Sequence, residues 1–291
     1  MRYLVLTKKR LIAAVCCALI AGAAVMIAVS TAGKVAAVMG EPREIPIYYV
    51  DTDEKVCALS FDAAWGNEQT EHLLAILDEY KVKSTFFLVR QWVDKYPDDV
   101  RMIAARGHDV GNHSATHPHM ASLSASEQLE EITSCNEAIT QLTGVSPALF
   151  RAPYGEYDNK LVQGLRSKEM YCVQWNIDSL DWKDPSPEEM VSRIESKLCP
   201  GSIILMHNGA KNTPQALPMV IEAILAKGYR IVPVSELIPK GDYITDHEGK
   251  MILTEKPTEQ HTDNKKTVPS ARNSRIAIAR AHVKCAAGQA L

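Results

Sequence analysis

Short apolar runs alternate with amphipathic stretches from residue 56 to residue 237, and few architectures accept that rhythm. The runs VCALSF, STFFLV, ALFR, YCVQWNI, SIILMH and YRIVPV have the length and apolar content of buried strands. Helical patterns separate them. Residues 68–80 carry Leu73, Leu74, Ile76 and Leu77 at near-helical spacing, and residues 98–106 end at Gly107. A long helix is expected over 124–142, where Ser124 and Glu127 form a capping box and Gly144 supplies the stop. Further helices are expected over 158–168, 187–197 and 214–227. Strand–helix alternation of this kind calls for parallel strands joined by helical crossovers. The fold class is α/β, either a distorted, incomplete barrel of six or seven β/α units or a doubly wound open sheet. In both, an active site forms at the C-terminal ends of the strands.

The flanks differ from this core. Residues 1–10 contain Arg2, Lys8, Lys9 and Arg10, and residues 11–29 then run without a charge, long enough to span a bilayer. The basic flank predicts a cytoplasmic N-terminus and a single-pass anchor with the remainder outside the cell membrane. Ser30, Thr31 and Ala32 leave secretion after signal cleavage as the alternative. Residues 30–54 read as a linker, 55–240 as the domain, and 241–291 as a polar, disordered tail whose last stretch suits a short basic amphipathic helix or a frayed end. A net charge of −3 gives no reason to expect nucleic acid as a partner. Cys57, Cys135, Cys172, Cys199 and Cys285 lack metal-type spacing, and Cys57 and Cys172 sit in strand-like runs where a buried thiol is ordinary.

Five strand ends carry polar clusters. Asp62 follows VCALSF directly; alone it could equally cap the next helix. His113 and His117 stand four apart, so one helical turn would present both imidazoles to a divalent metal, although Pro118 keeps such a turn brief. His119 is a nearby spare. Arg151 follows ALF, ahead of a turn shaped by Pro153 and Gly155 whose backbone N–H groups suit an oxyanion; the bland alternative is a surface arginine. Asp178 and Asp181 flank a loop ending in Trp182, an apolar wall for a sugar ring or a packing residue. His207 ends SIILMH, where a carboxylate could hold it charged as a proton donor. Together the clusters imply metal-assisted hydrolysis with a carboxylate base and a histidine acid.

The ordered set SFDAAWG, HSATH, RAPYG, DSLDW and LMH resembles the polysaccharide deacetylases, carbohydrate esterase family 4 or the NodB-homology family, over residues 45–237. The first motif is most similar to the sporulation-associated subgroup. The resemblance implies a distorted (β/α)7 barrel that hydrolyses acetamides of N-acetylated cell-wall or spore-wall glycan, as a monomeric domain. It implies Asp62 as general base, Arg151 as its orienting partner, and His113 and His117 as ligands of a divalent metal, usually zinc. It further implies an oxyanion contact from the Tyr154 backbone N–H, Asp181 tuning the general acid His207, and a pocket lined by Asp178, Trp182 and Leu205 or Met206. One position departs from the pattern: the family's third metal ligand is here Ala63. A weakened metal site or a catalytically silent glycan-binding pseudoenzyme are the consequences to weigh.

Overall fold

The computed structural model describes residues 8–9, 12, 15–26 and 42–254. Its strands are β1 (Tyr49–Val50), β2 (Val56–Ala63), β3 (Thr85–Leu88), β4 (Asp109–Asn112), β5 (Leu149–Phe150), β6 (Tyr171–Cys172), β7 (Ile177–Asp178), β8 (Ser202–His207), β9 (Arg230–Ile231), β10 (Tyr243–Thr245) and β11 (Lys250–Leu253). They join in the order β10-β11-β1-β8-β2-β3-β4-β5-β6, with β7 on β8 and β9 on β2. The strands β2 to β6 and the pair β7–β8 run parallel, and β8 returns to β2. The result is a curled, incompletely closed α/β barrel.

All eight residues of β2 are buried, because each face of the strand meets a different layer. Leu59, Phe61 and Ala63 join the apolar cluster built with Leu73 and Leu77 from the helix Thr70–Glu79 and Leu217 and Ile221 from the helix Thr213–Ala226. Ala58 turns to the other side, with Phe87, Val173 and Ile203. The period of two along a strand therefore leaves Asp62 on the barrel side and Ala63 on the helix side. The long helix runs Ala125–Thr143, with the Ser124–Glu127 capping box formed and Gly144 closing it at φ 74°. Both features match the expectation from sequence.

Two expectations need correction, the single strand over YCVQWNI and the disordered tail from residue 241. YCVQWNI is two strands, not one: β6 and β7 diverge, and Ile47 enters the gap by donating its N–H to the Cys172 carbonyl and accepting from the Gln174 N–H. The end of the linker forms β1, which pairs with both β8 and β11. The tail expected to be disordered from residue 241 begins with the hairpin β10–β11, whose Met251 is buried beside β1. Its partners lie some two hundred residues earlier, so no local pattern announces it. The strand β4 has no apolar run either, and is held by its neighbours: a Cβ on Gly111 would lie 2.6 Å from the Phe87 ring.

Residues 15–26 are helical, but among the described residues no helix is long and apolar enough to cross a membrane. The anchor expected over 11–29 lies partly, and the terminal basic helix wholly, outside the described residues. Burial pushes the Cys57, Cys135 and Cys172 thiols up to about 12, which leaves them inert core residues.

Candidate active site

The parallel register of β2 and β8 sets Asp62 opposite His207, so two strands deliver both groups to the same rim. Arg151, at the end of β5, reaches across beneath them and is fully buried. Its Nη1 donates to Asp62 Oδ1 at 2.8 Å, and its Nη2 donates to Ser60 Oγ at 2.9 Å and to the Gln174 carbonyl at 3.2 Å. The guanidinium lies 4.0 Å from the centroid of the Phe87 ring. Burial pushes the Asp62 carboxyl up. The Arg151 guanidinium, through its charge and its hydrogen bond, leads the influences that outweigh burial and leave it below the usual carboxylate range.

His113 follows β4. Its Nδ1 lies 2.7 Å from the Arg151 carbonyl, which only accepts, so Nδ1 carries the proton. The neutral ring then turns an Nε2 lone pair toward Asp62 Oδ2, 3.5 Å away. His117 comes within 5.0 Å of His113, ring centroid to ring centroid, yet no helical turn brings it there. Ser114 and His117 are left-handed, at φ 70° and 58°. Asn112 Oδ1 accepts from the Ser114 N–H, Ser114 Oγ accepts from the His117 N–H, and Glu131 accepts from the Ala115 and Thr116 N–H groups. Side chains thus replace the helical ladder ahead of Pro118. Burial lowers both imidazoles, His117 to about 4, so both are neutral at physiological pH.

Asp181 is fully buried and grips His207 twice. Asp181 Oδ1 lies 2.7 Å from His207 Nδ1, and Oδ2 accepts from the His207 backbone N–H at 2.6 Å and from Thr213 Oγ1 at 2.7 Å. Burial works against a charged His207, but Asp181, Asp62 and Asp178 prevail and its pKa is raised. With Nδ1–H committed to Asp181, the imidazolium keeps Nε2–H free. Asp178 Oδ1 accepts from the Leu180 N–H, and burial raises its carboxyl.

These groups line one cavity of about 440 Å³. Asp62, His113, His117, Tyr154, Asp178, Trp182, Leu205 and His207 all face it; Asp181 and Arg151 stand behind it as buried supports. Met206 does not line it. The residue points into the apolar cluster on the helix side, as the alternation along β8 requires once Leu205 faces inward. Tyr154 has φ 58°, and its ring stands edge-on to His117 at 4.7 Å and stacks on His119 at 4.5 Å. His119 is exposed and paired with Glu156. Trp65, which the sequence reading left without a role, is also at the rim. An indole has no titratable group to draw attention, and only its exposure marks it.

The donor chemistry of His113 and His117 fits a divalent metal: two neutral imidazoles, one with its tautomer set by a carbonyl so that Nε2 is free to coordinate. The donor count falls short of a catalytic zinc centre. Ala63 is fully buried in the apolar cluster, and among the described residues no group of three or more His, Cys, Asp or Glu is placed to hold a metal ion.

A family model described as polysaccharide deacetylase matches residues 49–173. The chain is 37% identical over 193 residues to the uncharacterized protein YlxY of Bacillus subtilis, covering 66% of this chain and 60% of YlxY. It therefore spans less than two thirds of that relative's length. It is 30% identical over 203 residues to a peptidoglycan-N-acetylglucosamine deacetylase of Bacillus cereus, covering 68% of this chain and 95% of that protein. Among solved structures, BA3943 from Bacillus anthracis, a CE4 family pseudoenzyme, matches with a TM-score of 0.65 at 32% identity, covering 71% of this chain and 70% of the other. A BA3943 mutant with restored enzymatic activity matches equally well, at 33% identity over 71% of this chain and 72% of the mutant.

Proposed function

This chain belongs to the polysaccharide deacetylase family, and from that premise we propose that it removes acetyl groups from N-acetylated cell-wall glycan, peptidoglycan or an N-acetylglucosamine polymer. The observation that carries the reading is a complete acid–base pair in one cavity, each member held by its own buried partner: Asp62 by Arg151 and His207 by Asp181. A pure binding module has no use for a proton acceptor and a proton donor brought together in one pocket.

In this reading Asp62 takes a proton from the attacking water, and Arg151 keeps the carboxylate ionised and aimed. The Tyr154 backbone N–H faces the oxygen that gains charge as water adds to the acetamide carbonyl. His207 gives its Nε2 proton to the departing amine nitrogen as the C–N bond breaks, and the products are acetate and the free amino sugar. Asp181 fixes the His207 tautomer and favours its charged form. Trp182, Leu205 and Asp178 bound the space for the acetylated sugar. His113 and His117 would hold a divalent metal such as zinc, which when bound lowers the pKa of water. With Ala63 in the third position that affinity is reduced.

A second reading, a glycan-binding pseudoenzyme, draws support from Ala63 and from the likeness to BA3943. The basic flank and the apolar run of residues 11–29 support placing the domain outside the cell membrane, anchored at its N-terminus. To test the activity, the full-length protein is incubated with tetra-N-acetylchitotetraose and with peptidoglycan, with and without zinc or cobalt. Acetate release that disappears in Asp62→Asn and His207→Ala supports the deacetylase. Glycan binding without acetate under any metal overturns it in favour of the pseudoenzyme.

A further inference from the structure

Three aromatic side chains among the described residues are exposed, Trp65 (46%), Tyr154 (58%) and Trp182 (51%), and all three line the cavity that holds Asp62 and His207. Trp65 has no part in the chemistry set out above, yet several elements serve to place it. Its indole lies 5.3 Å from the His207 ring, tilted by 31°. It rests on the backbone of Gly209, where a Cβ would lie 2.5 Å from the Trp65 carbonyl oxygen and 2.6 Å from the indole Nε1. A residue with any side chain at position 209 would collide with both the Trp65 backbone and its indole. The loop beyond Trp65 is pinned as well. Gly66 turns it at φ 57°, and its carbonyl accepts from Trp92 Nε1 at 2.6 Å. Asn67 donates to Asp99 Oδ2 at 2.7 Å. On the other side, Asn208 donates its backbone N–H to the Asp62 carbonyl and its amide to Thr70 Oγ1, each at 2.9 Å.

A tryptophan that served only the core would be buried, as Trp92 is. Trp65 instead leaves nearly half its surface open while its close contact with Gly209 and the hydrogen bonds of the following loop hold it in place. Rigid, half-exposed indoles suit the apolar faces of sugar rings, and an aromatic face beside an imidazolium also favours that charge. We propose that Trp65 is a positioning and specificity residue of this cavity: its indole holds the His207 ring in place and forms, with Trp182, the walls between which the N-acetylated sugar stacks. The inference rests on the reading of the cavity as a glycan site.

The test uses the full-length protein in detergent, with Trp65→Ala and Trp65→Phe. Histidine-labelled samples report the His207 Cε1–H resonance by NMR, assigned through His207→Gln, and calorimetry reports binding of tetra-N-acetylchitotetraose. In Trp65→Ala the His207 resonance shifts as the indole ring current is lost, and tetramer affinity falls about tenfold, on the scale of one aromatic contact. Trp65→Phe restores most of the affinity, which excludes misfolding as the cause. A Trp65→Ala protein that binds the tetramer as tightly as the parent, or whose His207 resonance stays in place, overturns the role of Trp65 alone. A parent that binds no tetramer overturns the glycan reading of the cavity, and the stacking role with it.

Discussion

Replacing Arg151 by methionine isolates the interaction on which the cavity depends most. The substitution keeps most of the side-chain volume over the Phe87 ring but removes the guanidinium that faces Asp62. Ser60 Oγ remains satisfied, because it donates to the Ile204 carbonyl at 2.7 Å. The Asp62 carboxylate does not: it loses its hydrogen-bond donor, and the neighbouring His113 Nε2 is a lone pair in the neutral ring. Stranding one member of a buried ion pair costs about 3–5 kcal/mol, and Asp62→Asn should strand the guanidinium at a similar cost. The double variant Asp62→Asn, Arg151→Met strands neither charge, so its loss should fall short of the summed single losses by about 2–3 kcal/mol.

The pH dependence carries the sign of the argument. In the parent the folded Asp62 pKa is depressed, so its stabilisation is present above the unfolded value of about 3.9 and is lost only as pH falls through the lower folded value. Between pH 8 and pH 5 that contribution is flat. Burial is the largest single influence on Asp62, so without Arg151 the folded pKa should rise above the unfolded one, and protonation then relieves the penalty as pH falls. The deficit of Arg151→Met should therefore shrink between pH 8 and pH 5. Urea unfolding followed by circular dichroism at both values measures it. Strict additivity in the cycle, or a deficit identical at the two pH values, would refute the electrostatic account of this pair.

Three further outcomes follow from the same geometry. Asp181→Asn removes the largest influence that raises His207, so the alkaline limb of the pH–rate profile should move to lower pH; a limb that stays in place would mean another group sets it. Ala63→Asp should tighten zinc binding by about two to three decades if the new carboxylate turns from the apolar cluster to the two histidines, as read by competition with a chelator; unchanged affinity would show that the side chain cannot make that turn. Met251→Ala should destabilise the domain by about 2–3 kcal/mol in chemical denaturation, because Met251 is buried where β11 joins β1; a neutral result would make the hairpin an ornament of the fold.

The local chemistry of the chain determined a good deal without coordinates. Hydrophobic periodicity specified the alternation of strands and helices, and the Ser124–Glu127 box and Gly144 marked both ends of the long helix. The position of Asp62, Arg151 and His207 directly after apolar runs sufficed to put them at one rim, since parallel strands end on the same side. What tertiary structure decided was everything that depends on partners far away in the chain. The polar strand β4, the Ile47 insertion between β6 and β7, and the hairpin β10–β11 exist because distant strands offer them hydrogen bonds, not because their own residues favour extension. The histidine pair meets through side-chain-capped left-handed residues where spacing alone suggested a helical turn. The choice of Leu205 over Met206, and the placing of Ala63 on the far side of β2 from Asp62, are matters of which face each strand turns inward. Periodicity sets the alternation along a strand, but only the assembled barrel says which of its two faces looks into the cavity.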